Sequence, residues 1–212
     1  MAPLPRSFYA RPTLEVAEHL LGKVLLHRTR AGLTAGIIVE VEAYVGEADP
    51  ACHAAPGPTE RNAPLYGPPG HAYVYLNYGV HYLMNVVTEL RGSPAAVLVR
   101  ALEPLEGIAL MRERRARART ARHLKQPRRV SDHDLCKGPG NVTHAMGISL
   151  GENRLDLLGD VLYIEDRGVR VKQIAWSQRI GITKGKEKHW RCFSAASGAV
   201  SGPRPRGRGP RL

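Results

Sequence analysis

Thr34-Ala35-Gly36-Ile37-Ile38-Val39-Glu40-Val41-Glu42-Ala43-Tyr44 alternates along its length. In an extended strand successive side chains point to opposite faces, so Ile37, Val39, Val41 and Ala43 share one face and Ile38, Glu40, Glu42 and Tyr44 the other. The apolar face is expected in the core, which leaves two carboxylates and a tyrosine together on the opposite face. Outward from this strand the chain mixes helix and strand. Thr13 is placed to cap a helix carrying Leu14, Ala17, Leu20 and Leu21 at helical spacing, and Gly22 stops it. Lys23–His27 reads as a strand. Ala72–Tyr78 and His81–Thr88 read as two strands broken at Tyr78-Gly79, and Ala95–Ala101 as another, apolar until Arg100. Pro104 suits a first helical turn, for a helix running to about His123. Gly138-Pro139-Gly140 precedes a helix with Val142, Ala145 and Met146, whose first amides could hold a phosphate. Short strands follow at Val161–Ile164 and Val169–Ile174. Val45–Gly70 lacks periodicity and reads as a long connection of the kind that carries function. There is no regular βα alternation, so the expected fold is α+β: a single domain over residues 1–200, built on a largely antiparallel curved sheet with flanking helices. Residues 201–212 are almost only Gly, Pro and Arg and read as a disordered basic tail.

The 212 residues are 43% apolar, enough to bury one sizeable core, and carry a formal net charge of +12. Such an excess suits a polyanionic partner. A membrane partner is not expected, because the most apolar stretches, such as Ala95–Val99, are far too short to span a bilayer. The N-terminal segment Met1–Pro12 lacks the apolar stretch of a secretory signal, so the expected location is cytoplasmic, nucleoid-associated in a bacterium. Cys52, Cys136 and Cys192 are odd in number and widely spaced, as free thiols rather than a disulfide framework, and without C-x-x-C pairs no metal is expected.

Chemistry concentrates in a few places. Tyr66, Tyr73, Tyr75, Tyr78 and Tyr82 fall in one short stretch, and Tyr44 sits beside Glu42. Each alone reads as a sheet residue; as a cluster in a basic protein they suit stacking on nucleobases, at about 1–3 kcal/mol per base. The run Arg112, Arg114, Arg115, Arg117, Arg119 and Arg122 reads first as a solvated charged face that adds to a phosphate-attracting field. Glu40 and Glu42 would ordinarily be surface carboxylates paired with arginine. A carboxylate kept near a phosphate-binding surface has a reason to be there if it stabilises an oxocarbenium-like sugar and accepts a proton from an attacking water.

Val39-Glu40-Val41-Glu42-Ala43-Tyr44, His53, Thr59-Glu60-Arg61-Asn62, Ala72 to Gly79, Met84-Asn85-Val86 and Val97 to Pro104 together resemble the alkyladenine (3-methyladenine) DNA glycosylase family in order and spacing. Gly138-Pro139-Gly140, Ala145 to Ile148 and Arg179-Ile180-Gly181-Ile182 extend the resemblance over roughly residues 8 to 193. The resemblance implies a monofunctional glycosylase that initiates base excision repair. It would flip alkylated purines (3-methyladenine and 7-methylguanine, with hypoxanthine or ethenoadenine as further candidates) out of double-stranded DNA and hydrolyse the N-glycosidic bond. It implies Glu42 as general base, with Arg100 helping to hold the water. Tyr44, His53 and Tyr75 would sandwich the extruded base, Asn85 would obstruct the amino group of normal guanine, and Tyr78 would wedge into the duplex. No cofactor and no metal are implied; the partner is duplex DNA containing alkylated or deaminated purines, and the protein is expected to act as a monomer. No lysine matches a position near the glutamate, so water rather than a Schiff base is the expected nucleophile. Two alternatives come from other classes: a non-catalytic nucleic-acid-binding protein that uses a tyrosine-rich basic face, and a hydrolase of another anionic polymer or nucleotide working through Glu42 and His53.

Overall fold

The alternating stretch lies inside a strand longer than its own length, Gly32–Val45. In chain order the elements are helix α1 (Arg6–Tyr9), α2 (Thr13–Leu20), strands β1 (Val24–Thr29), β2 (Gly32–Val45), β3 (Ala72–Asn77), β4 (His81–Val87) and β5 (Ala95–Glu106), helices α3 (Ile108–Ala121), α4 (Asp132–Leu135) and α5 (Pro139–Met146), then β6 (Leu162–Glu165), β7 (Ile174–Ser177) and β8 (Arg191–Ser194). The computed structural model describes residues 1–121 and 130–203, without the side chains of residues 119–121.

Every strand pairing is antiparallel, in the order β3-β4-β5-β2-β1-β6, with the β7–β8 hairpin joined to β2. The sheet curls into a half-barrel, and β2 shows why. It pairs with β5 along one edge, while its other edge changes partner from β1 at Gly32–Ile37 to β8 at Glu40–Glu42. At the changeover Val39 is unpaired between Ile38 and Glu40, and Arg100 is skipped between Val99 and Ala101 on β5. A residue inserted into one strand bends it and re-aims the side chains that follow.

The bulge also corrects the expected facing. Ile38, Val41 and Ala43 enter the main core, whereas Ile37 and Val39 pack in smaller clusters on the other side. A strict period of two would have put Ile38 beside the carboxylates. Neither face of β2 is open to water here: Glu40 and Glu42 have no exposed surface. The main core joins Val16, Ala17 and Leu20 of α2, Met84 and Val86 of β4, Val97 and Val99 of β5, and Val142, Ala145 and Met146 of α5. These helices cover the sheet on the side away from Glu42 and fix the sheet that carries it.

Other expectations shift. Thr13 is the first residue of α2 rather than its cap, and its hydroxyl contacts the Thr88 and Glu89 side chains. Pro104 lies within β5, opposite Gly36 at a register irregularity, where a residue without an N–H is tolerated. The helix starts instead at Ile108, after Gly107, whose φ of 70° and close approach to the Leu33 carbonyl, where a Cβ would collide, admit only glycine. Val169–Ile174 is irregular up to Ile174, although Val171 still packs on the core, and the strand at Arg191–Ser194 carried no recognisable alternation.

Three arginines of the expected solvated run hold elements together. Arg114 donates to Thr29 Oγ1 (2.9 Å) and to the Met146 carbonyl at the end of α5 (2.8 Å). The buried Arg115 donates to the Asp134 and Leu135 carbonyls, and Arg112 to the Val130 carbonyl (2.5 Å). Arg117 is exposed and pairs with Glu113. The Arg119 side chain and Arg122 lie outside the described residues, as does the tail beyond Pro203. Ser201, at the start of that tail, is tied into the protein through Glu40.

Candidate active site

The second half of β2 presents Glu42 and Tyr44 on the same face, and β5 brings Arg100 to them across the bulge. Glu42 is fully buried, yet both of its carboxylate oxygens are engaged. The Tyr44 hydroxyl donates to Oε2 (2.8 Å), Arg100 Nη1 lies 3.1 Å from the same oxygen, and the Ile180 backbone N–H donates to Oε1 (2.7 Å). These three partners all line one cavity of about 360 Å3. Glu42 therefore sits one layer behind the cavity wall rather than in the hydrophobic interior. Burial and the adjacent Glu42 push the Tyr44 phenol well above its ordinary pKa, so it remains a hydrogen-bond donor. Burial works against the Arg100 charge, but Glu42 and Glu40 outweigh it and hold the guanidinium protonated.

Glu40 looks equivalent in sequence and is not. It accepts from Arg191 Nε (2.6 Å), Arg100 Nε (3.2 Å), and the backbone N–H (2.7 Å) and hydroxyl (3.0 Å) of Ser201. Arg191 and Ser201, unlike Arg100, do not line the cavity. Arg191, itself buried, also donates to the Ser201 and Pro203 carbonyls. Glu40 thus anchors Arg100 from the rear and the C-terminal segment from within.

The cavity walls are aromatic. Tyr75 and Tyr73 project from β3 with ring centroids 5.4 Å apart at 31°, and His53 meets Tyr75 edge-on at 4.4 Å and 65°. His53 Nδ1 shares a hydrogen bond with the Tyr73 hydroxyl (2.8 Å). Burial, then the charge of Arg61, push the His53 pKa down, which keeps the imidazole neutral. Asn85 lines the same cavity with its amide donating to the Tyr73 carbonyl (3.1 Å). At the rim stands Tyr78, at the tip of the β3–β4 hairpin. Its side chain is 88% exposed, and its φ of 48° lies in the left-handed region that non-glycine residues seldom occupy. An exposed aromatic on a strained turn beside a cavity is the feature least explained by packing.

The structure therefore brings Glu42, Arg100, Tyr44, His53, Tyr75, Asn85 and Tyr78 to one place, Glu42 behind the wall and the others on it. Two of the three side chains expected to hold the base, His53 and Tyr75, touch each other. A flat ring stacked on both faces needs about 7 Å between its neighbours, twice the roughly 3.5 Å of a carbon contact, so no base fits between these two rings as they stand. Sequence reasoning left several contributors without a role: the Ile180 amide, the Arg179–Asp49 ion pair beneath Tyr44, and Glu40 with Arg191 and Ser201. Arg179-Ile180-Gly181-Ile182 stood out as a motif, but a backbone N–H leaves no mark on composition or periodicity. Among the described residues no three His, Cys, Asp or Glu side chains cluster as metal ligands, the three cysteines are buried free thiols, and no helix is long and apolar enough to cross a membrane.

Residues 7–197 match the protein family described as Methylpurine-DNA glycosylase (MPG). A protein of Chlorobium phaeobacteroides named "Putative 3-methyladenine DNA glycosylase" is 46% identical over 204 residues, covering 95% of this chain and 96% of its own. Proteins of the same name from Methanocella arvoryzae (46% identical; 95% of this chain, 96% of the relative) and Burkholderia cenocepacia (44%; 96% and 93%) are similar over nearly the same span.

Proposed function

The chain belongs to the methylpurine-DNA glycosylase family, and we propose that it extrudes an alkylated purine from duplex DNA into the cavity beside Tyr44, His53 and Tyr75 and hydrolyses its bond to deoxyribose. Family and relatives make it a DNA-3-methyladenine glycosylase, a hydrolase of the N-glycosidic bond acting on DNA. The observation that carries the finer reading is the buried carboxylate of Glu42, held by Tyr44, Arg100 and the Ile180 amide immediately behind an aromatic cavity.

A cavity of about 360 Å3 is at the small end for ligand sites, roughly 300–1,000 Å3, which suits one nucleotide rather than an oligomer. N3- or N7-alkylated purines are cationic, good leaving groups, and attracted to the electron-rich faces of tyrosine. With His53 closed on Tyr75, the base stacks on an open face of this group, or His53 turns aside to admit it. Asn85 meets the edge of the base, where a guanine amino group would collide. Tyr78 fills the gap left in the duplex and offsets part of the few kcal/mol that unstacking costs.

For a water to reach Glu42, one of its three contacts must open. Arg100 is the partner able to yield without losing its place, because Glu40 holds its Nε and Ser201 its Nη2 (3.3 Å). Glu42 then takes a proton from the water as it attacks the anomeric carbon, and its charge stabilises the oxocarbenium-like sugar. Every group in this sequence comes from a single chain, so a monomer suffices. Incubation with methylated duplex DNA tests the reading: free 3-methyladenine is expected in the supernatant, and tight binding without base release would favour the non-catalytic alternative.

A further inference from the structure

We propose that Arg179 and Asp49 form a positioning pair for the reaction, fixing the Ile180 amide and the Tyr44 ring against Glu42; this rests on Glu42 being the base. Neither residue lines the cavity and neither side chain has exposed surface. The guanidinium grips the carboxylate at two points, Nη1 to Oδ2 at 2.5 Å and Nη2 to Oδ1 at 2.8 Å. Burial opposes the Arg179 charge, and the doubly bonded Asp49 outweighs it.

What distinguishes this pair is the number of site-bearing segments it joins. Toward β2, Arg179 Nη1 donates to the Ala43 carbonyl (3.0 Å), and the guanidinium carbon stands 4.7 Å from the centre of the Tyr44 ring. Toward the 46–53 connection, Asp49 accepts from the Val45 N–H (3.4 Å) and the Ala51 N–H (3.2 Å), fixing the turn that leads to Cys52 and His53. Toward the loop after β7, Arg179 Nη2 donates to the Gly185 carbonyl (3.4 Å), and the next residue, Ile180, gives its N–H to Glu42. Gly185 has a φ of 67°, and a Cβ there would come within 2.9 Å of Arg179 Nη2 and 3.3 Å of Asp49 Oδ1, so the loop closes directly on the pair.

Stability alone is a weak reason for such a pair. Two charges taken out of water seldom recover their desolvation, and well-packed apolar residues of similar volume often serve as well or better. Geometry is a stronger reason here. The pair couples three chain segments with directional bonds, and two of them contribute hydrogen bonds to the one carboxylate.

The test is the double substitution Arg179→Met with Asp49→Leu, which replaces the pair by apolar side chains of similar size. Three quantities are read: melting temperature, Kd for duplex DNA carrying an abasic-site analogue, and single-turnover excision rate on methylated duplex with enzyme in excess. The proposal expects a melting temperature near the parent's, a Kd within about threefold, and an excision rate at least about tenfold lower, the effect of one hydrogen bond to a charged group. A folded double variant that excises within about threefold of the parent overturns it, because a merely structural pair would have been replaced without consequence. Should the double variant not fold, Arg179→Lys, assayed below its own melting temperature, decides by the same split between rate and Kd. Glu42→Gln is run alongside. If that variant still excises, the assignment of the base fails; if it is inactive while the double variant is fully active, only the positioning role fails.

Discussion

Glu40→Gln separates the two buried glutamates that lie two residues apart on one strand. In the parent, Glu40 neutralises Arg191 and shares Arg100 with Glu42, and it takes the Ser201 backbone N–H as well. Gln keeps the volume but removes the charge. The one Gln oxygen can still accept from Arg191 and Arg100, but Arg191, only 1% exposed, loses its carboxylate counter-charge, and the Gln NH2 cannot accept from the Ser201 N–H that the second carboxylate oxygen took. Breaking a buried ion pair by removing one partner costs about 3–5 kcal/mol. At roughly 2–4 °C per kcal/mol for a domain of this size, the melting temperature should fall by about 6–20 °C. Arg100 retains Glu42, so the site itself survives, and single-turnover excision at a temperature where the variant is folded should stay within about tenfold of the parent, or 1.4 kcal/mol of barrier. Scanning calorimetry and a quenched excision assay on methylated DNA measure the two effects. An unchanged melting temperature, or a loss of excision as complete as that of a Glu42 variant, would refute the division of labour.

The other predictions concern the rim, the charged surface and the cavity wall. Tyr78→Ala removes the exposed ring at the hairpin tip and should lower the flipped fraction, read by a fluorescent base analogue, by more than tenfold if the ring offsets about 1.4 kcal/mol or more of the unstacking cost; a parental flipped fraction contradicts the wedge. Lys184 and Lys186 are exposed on the loop whose other end lines the cavity. Replacing both by Ala should flatten the plot of log K against log salt by about 2, at roughly 0.9 per phosphate contact, and a parental slope would place those contacts elsewhere. His53 has a pKa below its ordinary 6.5 because burial, then Arg61, disfavour its charged form. The folded state thus binds the proton less well than the unfolded chain, so its contribution is fully present above pH 6.5 and is lost as the pH falls from 6.5 through the folded pKa. His53→Asn should reduce the loss of stability in urea melts between neutral and mildly acidic pH, and an identical acid sensitivity would contradict it.

Most strands and their antiparallel pairing were legible because they depend on local alternation, and the candidate site residues could be named because the motifs that carry them keep a fixed order. Val39 to Tyr44 announced both a strand and a pair of carboxylates beside a tyrosine. What alternation could not reveal was the bulge at Val39, since an unpaired residue arises only when β5 and β8 are in place on either side. With the bulge hidden, Ile38 was misplaced and the two glutamates looked alike. Pro104 misled for a related reason: its ring suits a helix start and equally a strand position at a register irregularity. The arginines of α3 read as solvated because their acceptors, the carbonyls at Val130, Asp134, Leu135 and Met146, lie far along the chain. Arg179 and Asp49, 130 residues apart, are the same problem in its most functional form.

The proposed reaction depends on Glu42 as the base. Glu42→Gln keeps the side-chain volume and the Ile180 contact while removing the charge that Tyr44 and Arg100 serve. Single-turnover excision of 3-methyladenine from duplex DNA should fall by about 10²–10⁴-fold, the range for general acid–base catalysis, with lesion affinity retained. Excision by that variant at the parental rate would contradict the account.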